Sequence, residues 1–307
     1  MENLPLVSVV IPNYNRDTLI KKAVESINSQ TYKNIEIIII DDCSTDNSAE
    51  TIKYLSEIYT NIRFKFLSEN MGANFCRKEG VSIANGDFIS FLDSDDTFLP
   101  TKLEKQMNIL LDNPEIGFVT TGFGESNIKG VKSGNIHLKD LIKMNNIGGF
   151  SVILARKKII LETSALDDSL KSCQDWNFYL KMLEKSDGYR LRENLLYYSE
   201  QPDSISKNLD NVLQGYGIIK ERTQLLNSKY NFYNQSELSS YQEYYLAMRY
   251  YKFKDIKNIR IHLLNSLKIE FSMTTFIYYI VSLFGYSSLR FFKEFKILVT
   301  RIIRKIR

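Results

Sequence analysis

Over the first 121 residues the chain alternates short β-branched runs with longer segments whose apolar positions recur every three or four residues. The runs predict strands at Leu6 to Ile11, Ile35 to Ile40, Ile62 to Leu67, Asp87 to Leu92 and Ile116 to Thr121, and the segments between them predict helices. From about Asp17 to Ser29 the apolar stripe is Leu19, Ala23, Val24 and Ile27, with Asp17 as the expected N-cap. Ile37 to Ile40 is apolar on both faces, as expected of a central strand covered by helices on both sides. The repeated strand-helix order leads to the same class, α/β with a mostly parallel sheet.

Beyond residue 121 the pattern loosens. Glycines stand at 122, 124, 130, 134, 148 and 149, a helix is predicted from about Trp176 to Leu183, and from Ser206 onward the periodicity turns helical, clearest in Leu213 to Leu226 and Leu238 to Phe253. The expected organisation is a sheet domain over residues 1–206, a helical region over 207–270 and a tail over 271–307.

Composition changes this picture only at the tail. Residues 287–307 hold seven Lys/Arg against Glu294 alone, a charge of +6, so the chain's net +4 leaves −2 for the rest. A body near neutrality argues against nucleic acid as the main partner, since phosphate-backbone binding needs basic residues spread over a face. Phe271 to Leu289 carries no charge but many hydroxyls, too many for a favoured membrane span. After it Phe292, Phe295, Val299, Ile302 and Ile306 recur at helical spacing with Arg290, Lys293, Arg301 and Arg304 largely on other faces, which predicts a basic helix lying on an inner-leaflet membrane surface. A helix packed on the body with a solvated basic side is the alternative. Cys43, Cys76 and Cys173 have no paired spacing, and Met1 to Pro5 shows no secretory pattern, so a cytoplasmic setting is expected.

Chemistry concentrates where strands end, because ligands of an open parallel sheet bind beyond its carboxyl edge. There lie Pro12-Asn13-Tyr14-Asn15, Asp41-Asp42-Cys43-Ser44-Thr45-Asp46 and Asp93-Ser94-Asp95-Asp96. Clustered carboxylates repel unless a cation sits among them, and hard oxygen ligands suit Mg²⁺ or Mn²⁺. No glycine-rich phosphate loop follows the first strand. A metal on acidic residues could instead neutralise a diphosphate, as in a nucleoside-diphosphate sugar. Asp42 and Asp46 could equally cap the following helix, Asp96 could be a loop residue, Arg77 a solvated helix charge, and Asp175 an N-cap.

These segments, with Asn70-Met71-Gly72-Ala73 through Arg77, Ile147-Gly148, Ser151 and Cys173-Gln174-Asp175-Trp176, resemble the family 2 glycosyltransferases of GT-A fold over roughly residues 5–206. The resemblance implies an inverting transfer of a sugar from a nucleotide donor, most simply a UDP-sugar, to a glycan or lipid-linked glycan. It implies that Pro12, Tyr14 and Asp42 hold the nucleobase and ribose and that Arg77 lies near the donor. Asp93 would touch ribose or metal, Ser94 would line the donor site, Asp95 would ligate the metal and Asp175 would be the general base. Relatives often carry Arg and His where this chain has Ser199 and Gln201, so phosphate contacts from that segment are not expected. His137 and His262 match no motif. The competing readings are a sugar nucleotidyltransferase, and a non-catalytic sugar-binding protein at the membrane.

Overall fold

The computed structural model describes residues 4–123, 133–199 and 207–306, with side chains described as far as Ile297. They form two compact units, Met1–Ile219 and Lys220–Arg307.

In the first unit the predicted alternation is realised as β1 (Val7–Asn13), α1 (Leu19–Asn28), β2 (Ile35–Asp41), α2 (Ser48–Ile58), β3 (Ile62–Phe66), α3 (Ala73–Ile83), β4 (Phe88–Phe91), β5 (Thr97–Phe98), α4 (Lys102–Asp112) and β6 (Ile116–Phe123). Then come β7 (Gly134–Ile136), α5 (Leu138–Leu141), a 3₁₀ turn at Phe150–Val152, β8 (Ile153–Arg156), α6 (Lys157–Glu162), α7 (Gln174–Leu183) and β9 (Asp187–Tyr197). The sheet order is β3-β2-β1-β4-β8-β6-β9-β5, with β7 on β9. β3, β2, β1 and β4 are parallel, β8 runs against both β4 and β6, and β9 is parallel to β6. The sheet is therefore mostly parallel, and the short strands β5, β7 and β8 run against the rest.

Every residue of β1 and β2 is buried, in β2 as the two-faced run Ile37 to Ile40 predicted. α1 buries Ile20, Ala23, Val24 and Ile27, so Ile20 takes the place expected of Leu19, which is only half-buried. Its N-cap is Thr18, not Asp17, because Arg16 O already accepts from both Leu19 N and Ile20 N and the helix begins one residue later.

The second unit holds the latter half of α8 (Leu209–Tyr230), with α9 (Gln235–Lys252), α10 (Ile256–Ile269), α11 (Met273–Ser282) and α12 (Tyr286–Ile306). The division falls inside α8 and not at 206, since the start of that helix belongs to the first unit: Tyr216 lies 6.1 Å from the Trp176 ring. The core of the second unit is Ala247, Ile259, Leu263, Tyr278 and Leu289. The charge-free stretch is interrupted at Gly285, whose φ of 96° separates α11 from α12. Among the described residues no helix is long and apolar enough to cross a membrane.

Candidate active site

β1, β2 and β4 end side by side, and their carboxyl ends open into a cleft of about 590 Å³. Pro12, Tyr14, Asp42, Arg77, Asp93, Ser94, Asp95 and Asp175 all line it, so residues from five separate segments, singled out on sequence alone, share one cavity.

The β2 turn divides its two acids. Asp41 is structural: its carboxylate accepts from Asn13 Nδ2 (2.9 Å), Ser44 N (2.9 Å) and Ser44 Oγ (2.7 Å), shaping the turn in which Cys43 takes a φ of 61°. Asp42 does not cap the helix after its own strand, and neither does Asp46: the N-cap of α2 is Asn47, and Asp46 Oδ1 accepts from Ser48 N just beyond it. Asp42 instead reaches the start of α3, where Oδ1 accepts from Met71 N (2.7 Å) and Oδ2 from Gly72 N (2.9 Å). Gly72 has a φ of 87°, which a side chain would disfavour, and this lets both amides face one carboxylate.

Arg77 is not a solvated charge. Its side chain is 6% exposed, its Nη2 donates to Asp93 Oδ1 at 2.5 Å, Nη1 to Gln174 Oε1 at 3.3 Å, and the guanidinium lies 4.1 Å from the centre of the Phe150 ring. Arg77 thus joins α3, the loop after β4 and α7 around one buried cation. Ser151 Oγ, from the 3₁₀ turn, accepts from Asp93 N at 3.1 Å and fixes the backbone there. Ser94 is buried, while Asp95 keeps partial exposure on the cleft wall. Asp96, read as a loop residue, is 1% exposed; its Oδ1 accepts from Ser199 N, and burial first, then Asp93 and Asp95, push its carboxyl up to about 7.

Asp175 is the second residue of α7, whose N-cap is Cys173 at a φ of 57°, so it stands in the first turn and is not the cap. Oδ1 accepts from Trp176 N at 2.8 Å and Oδ2 from Asn145 Nδ2 at 2.9 Å. Desolvation pushes its carboxyl up to about 6, opposed by the Trp176 amide and Arg77. A carboxylate poised there, ionised at neutral pH yet basic, has the properties of a proton acceptor.

Arg16, Asn70, Phe150, Lys171, Gln174 and Tyr198 also face the cleft. Phe150 and Lys171 lie in irregular segments without periodicity, and the cleft gives them significance that spacing could not. Ser199 meets the acidic loop through its backbone. Gln201 lies outside the described residues, as do the side chains expected of Val299, Arg301, Ile302, Arg304 and Ile306. His137 caps α5 and pairs with Asp187, and His262 pairs with Glu243, so both histidines have structural partners. Cys43, Cys76 and Cys173 are in no disulfide.

A profile of glycosyl transferase family 2 matches residues 8–167. An uncharacterized glycosyltransferase of Haemophilus influenzae is 31% identical over 229 residues, 70% of this chain and 76% of that one. The GalNAc(5)-diNAcBac-PP-undecaprenol beta-1,3-glucosyltransferase of Campylobacter jejuni is 27% identical over 301 residues, 91% of this chain and 94% of that one. The crystal structure of S. aureus TarS 1-349 in complex with UDP-GlcNAc is similar with a TM-score of 0.65 at 16% identity, covering 86% of this chain and 80% of that one. Sequence and fold agree that the chain belongs to glycosyl transferase family 2 and is a glycosyltransferase of GT-A fold.

Proposed function

We propose that the protein transfers a sugar, by a single inverting displacement, from a nucleoside-diphosphate sugar to a hydroxyl of a lipid-linked glycan. The observation that carries this reading is the shared cleft, which faces a basic carboxylate, Asp175, with an acidic loop, Asp93 to Asp95. Pro12, the half-exposed Tyr14 ring and Asp42 form the end suited to a nucleobase and ribose. Ser94 lines the middle. Asp175 removes the proton of the acceptor hydroxyl as its oxygen attacks the sugar, and the nucleoside diphosphate leaves. One displacement inverts the configuration at the sugar carbon.

The acidic loop fits a divalent cation, Mn²⁺ or Mg²⁺. Arg77 pairs with Asp93, and the loop sets three carboxylates in consecutive reach, Asp93 and Asp95 adding after burial to the upward push on the Asp96 carboxyl. Among the described residues no three His, Cys, Asp or Glu side chains are set to hold a metal. Asp95, with Asp93, would therefore share the ion with the donor's phosphates, as is usual for Mg²⁺. When bound, the ion supplies neutralisation of the diphosphate leaving group.

The Campylobacter relative named for an undecaprenol diphosphate glycan supports a lipid-linked acceptor, and the S. aureus structure with UDP-GlcNAc supports a UDP-sugar donor. A protein working on such an acceptor would sit on the cytoplasmic face of the membrane, and the basic, aromatic α12 suits that surface. The test is a panel of UDP- and GDP-sugars screened for Mn²⁺-dependent thermal stabilisation, since a ligand of the folded state raises its stability. A donor that stabilises the wild type and Asp175→Asn alike, but is transferred only by the wild type, is the expected result. Transfer by Asp175→Asn at a near-normal rate would remove Asp175 from the mechanism.

A further inference from the structure

The loop between α5 and the 3₁₀ turn is fastened to the first turns of α7 at three points. Trp176 Nε1 donates to Leu141 O at 2.8 Å, Tyr179 Oη donates to Gly149 O at 3.0 Å, and between them Asn145 Nδ2 donates to Asp175 Oδ2 at 2.9 Å. On β9, Arg190 Nη2 holds the neighbouring residue, donating to Asn146 O (3.1 Å) and Asn146 Oδ1 (2.8 Å).

The amide of Asn145 has only one orientation that satisfies these contacts. Its Oδ1 accepts from Ile147 N (2.9 Å) and Gly148 N (3.3 Å), closing a turn of the kind in which an Asn side chain holds the backbone two residues on. The NH₂ group is therefore the end that faces Asp175. Turning the amide over would set two donors against two donors and an oxygen against a carboxylate.

We propose that Asn145 is a positioning residue for the general base: it pins Asp175 Oδ2, so that the carboxylate's remaining lone pairs stay aimed into the cleft, and it favours the ionised form. The inference rests on the reading of Asp175 as the base. Asp175 sits in a desolvating wall, and a hydrogen bond donated to its charged form opposes that cost. The other groups whose charge acts on it are Arg77 from α3 and Asp93 from the loop after β4; Tyr179 of α7, on which Asp175 and Arg190 act, is an uncharged phenol there. None of these is altered by changing Asn145.

The test compares Asn145→Ala and Asn145→Ser in the full chain. Serine can still accept from the turn amides and donate its one proton to Asp175; alanine can do neither. Hydrolysis of UDP-GlcNAc, UDP-glucose and UDP-GalNAc by water with Mn²⁺ is followed across pH, using whichever donor stabilises the wild type. Asn145→Ala is expected to lower kcat about tenfold or more with the donor KM little changed, and to move the acid limb of the pH profile upward by about half a unit to one unit. Asn145→Ser is expected to fall between. The pH dependence of thermal unfolding should shift in the same sense for Asn145→Ala, and should not shift when the change is made in the Asp175→Asn background. An unmoved acid limb, or an equal loss in the alanine and serine variants with a raised donor KM, would show that Asn145 only shapes its loop. In that case an inactive Asp175→Asn still supports the base and sinks only the positioning role; an active Asp175→Asn sinks the base as well.

Discussion

Arg77 and Asp93 form an ion pair with Nη2 and Oδ1 2.5 Å apart, and its two ends are unequally buried: the Arg77 side chain is 6% exposed and that of Asp93 34%. Removing the carboxylate strands a desolvated cation whose Nε already has no partner and whose remaining acceptor is Gln174 Oε1 at 3.3 Å. Breaking a buried pair from one side costs about 3 kcal/mol. Asp95 stands partly exposed on the cleft wall. Chemical denaturation is therefore expected to show Asp93→Ala destabilised by about 2–3 kcal/mol and Asp95→Ala by about 1 kcal/mol or less. Donor-dependent stabilisation by Mn²⁺ should show the reverse weighting, with Asp95→Ala losing it. Equal stability costs would mean that Arg77 does not depend on Asp93.

The pH dependence of Asp175 follows from the raised carboxyl, about 6 against an ordinary 3.8. The base works ionised, so kcat/KM should fall about tenfold per pH unit below 6 and level off above it. Stability runs the other way. Below pH 4 the group is protonated folded and unfolded and costs nothing; above pH 6 it is ionised in both, and the full cost of burying the charge, on the order of 1–3 kcal/mol, is present. Wild-type stability should therefore carry a loss between pH 4 and 6 that Asp175→Asn lacks. Asp175→Asn should also lose about 10²–10⁴-fold in transfer. Parallel stability curves for the two proteins would contradict the raised carboxyl.

What the sequence showed of this site, and what it hid, divides by physical cause. The strand-end clusters were legible because a two-faced apolar run locates a central strand, and the end of a central strand locates the cleft. Asp93 and Asp95 followed from that alone, whereas Asp42 could equally have been a helix cap until the resemblance weighed in. The partners of these residues did not, because pairing across 16 or more residues leaves no periodic trace: Arg77 looks like any helix charge until Phe150 and Asp93 enclose it. Asn145 is hidden for the same reason, in a loop rich in Asn and Gly where the only signal was an Asn followed three residues on by Gly. Strands β8 and β9 escaped notice because they close the sheet from the irregular half of the domain.

That glycine provides a sharper test of the loop. Gly148 has a φ of 125°, and a Cβ there would lie 2.5 Å from Phe123 Cε1, whereas a Cβ on Gly149 would meet nothing within 4 Å. Gly148→Ala is expected to cost about 1–3 kcal/mol and to lower transfer by displacing Asn145 from Asp175. Gly149→Ala should keep wild-type stability. A Gly148→Ala protein with normal stability and an unmoved pH profile would show that the turn geometry does not reach the base.

The membrane surface is best tested on the exposed aromatics of the second unit. Deleting residues 287–307 would remove Leu289, which is fully buried among Ala247, Ile259, Leu263 and Tyr278, so a loss of binding would report on an opened core as much as on a lost contact. Phe284, Phe291 and Phe295 are 75%, 71% and 54% exposed and carry none of that ambiguity. The cations beside them are partly occupied: Arg290 pairs with Glu294, and Lys293 and Lys296 lie over the Tyr251 and Tyr278 rings. Apolar insertion should therefore carry much of the affinity, roughly 1.5 kcal/mol or more for each fully buried ring. Changing Phe284, Phe291 and Phe295 together to Ser is expected to weaken sedimentation with phosphatidylglycerol vesicles by at least about tenfold without lowering the melting temperature, and Leu289→Ser should do the opposite. Vesicle binding that survives the triple change but disappears in high salt would assign the contact to charge alone; binding untouched by either would place this unit away from the bilayer.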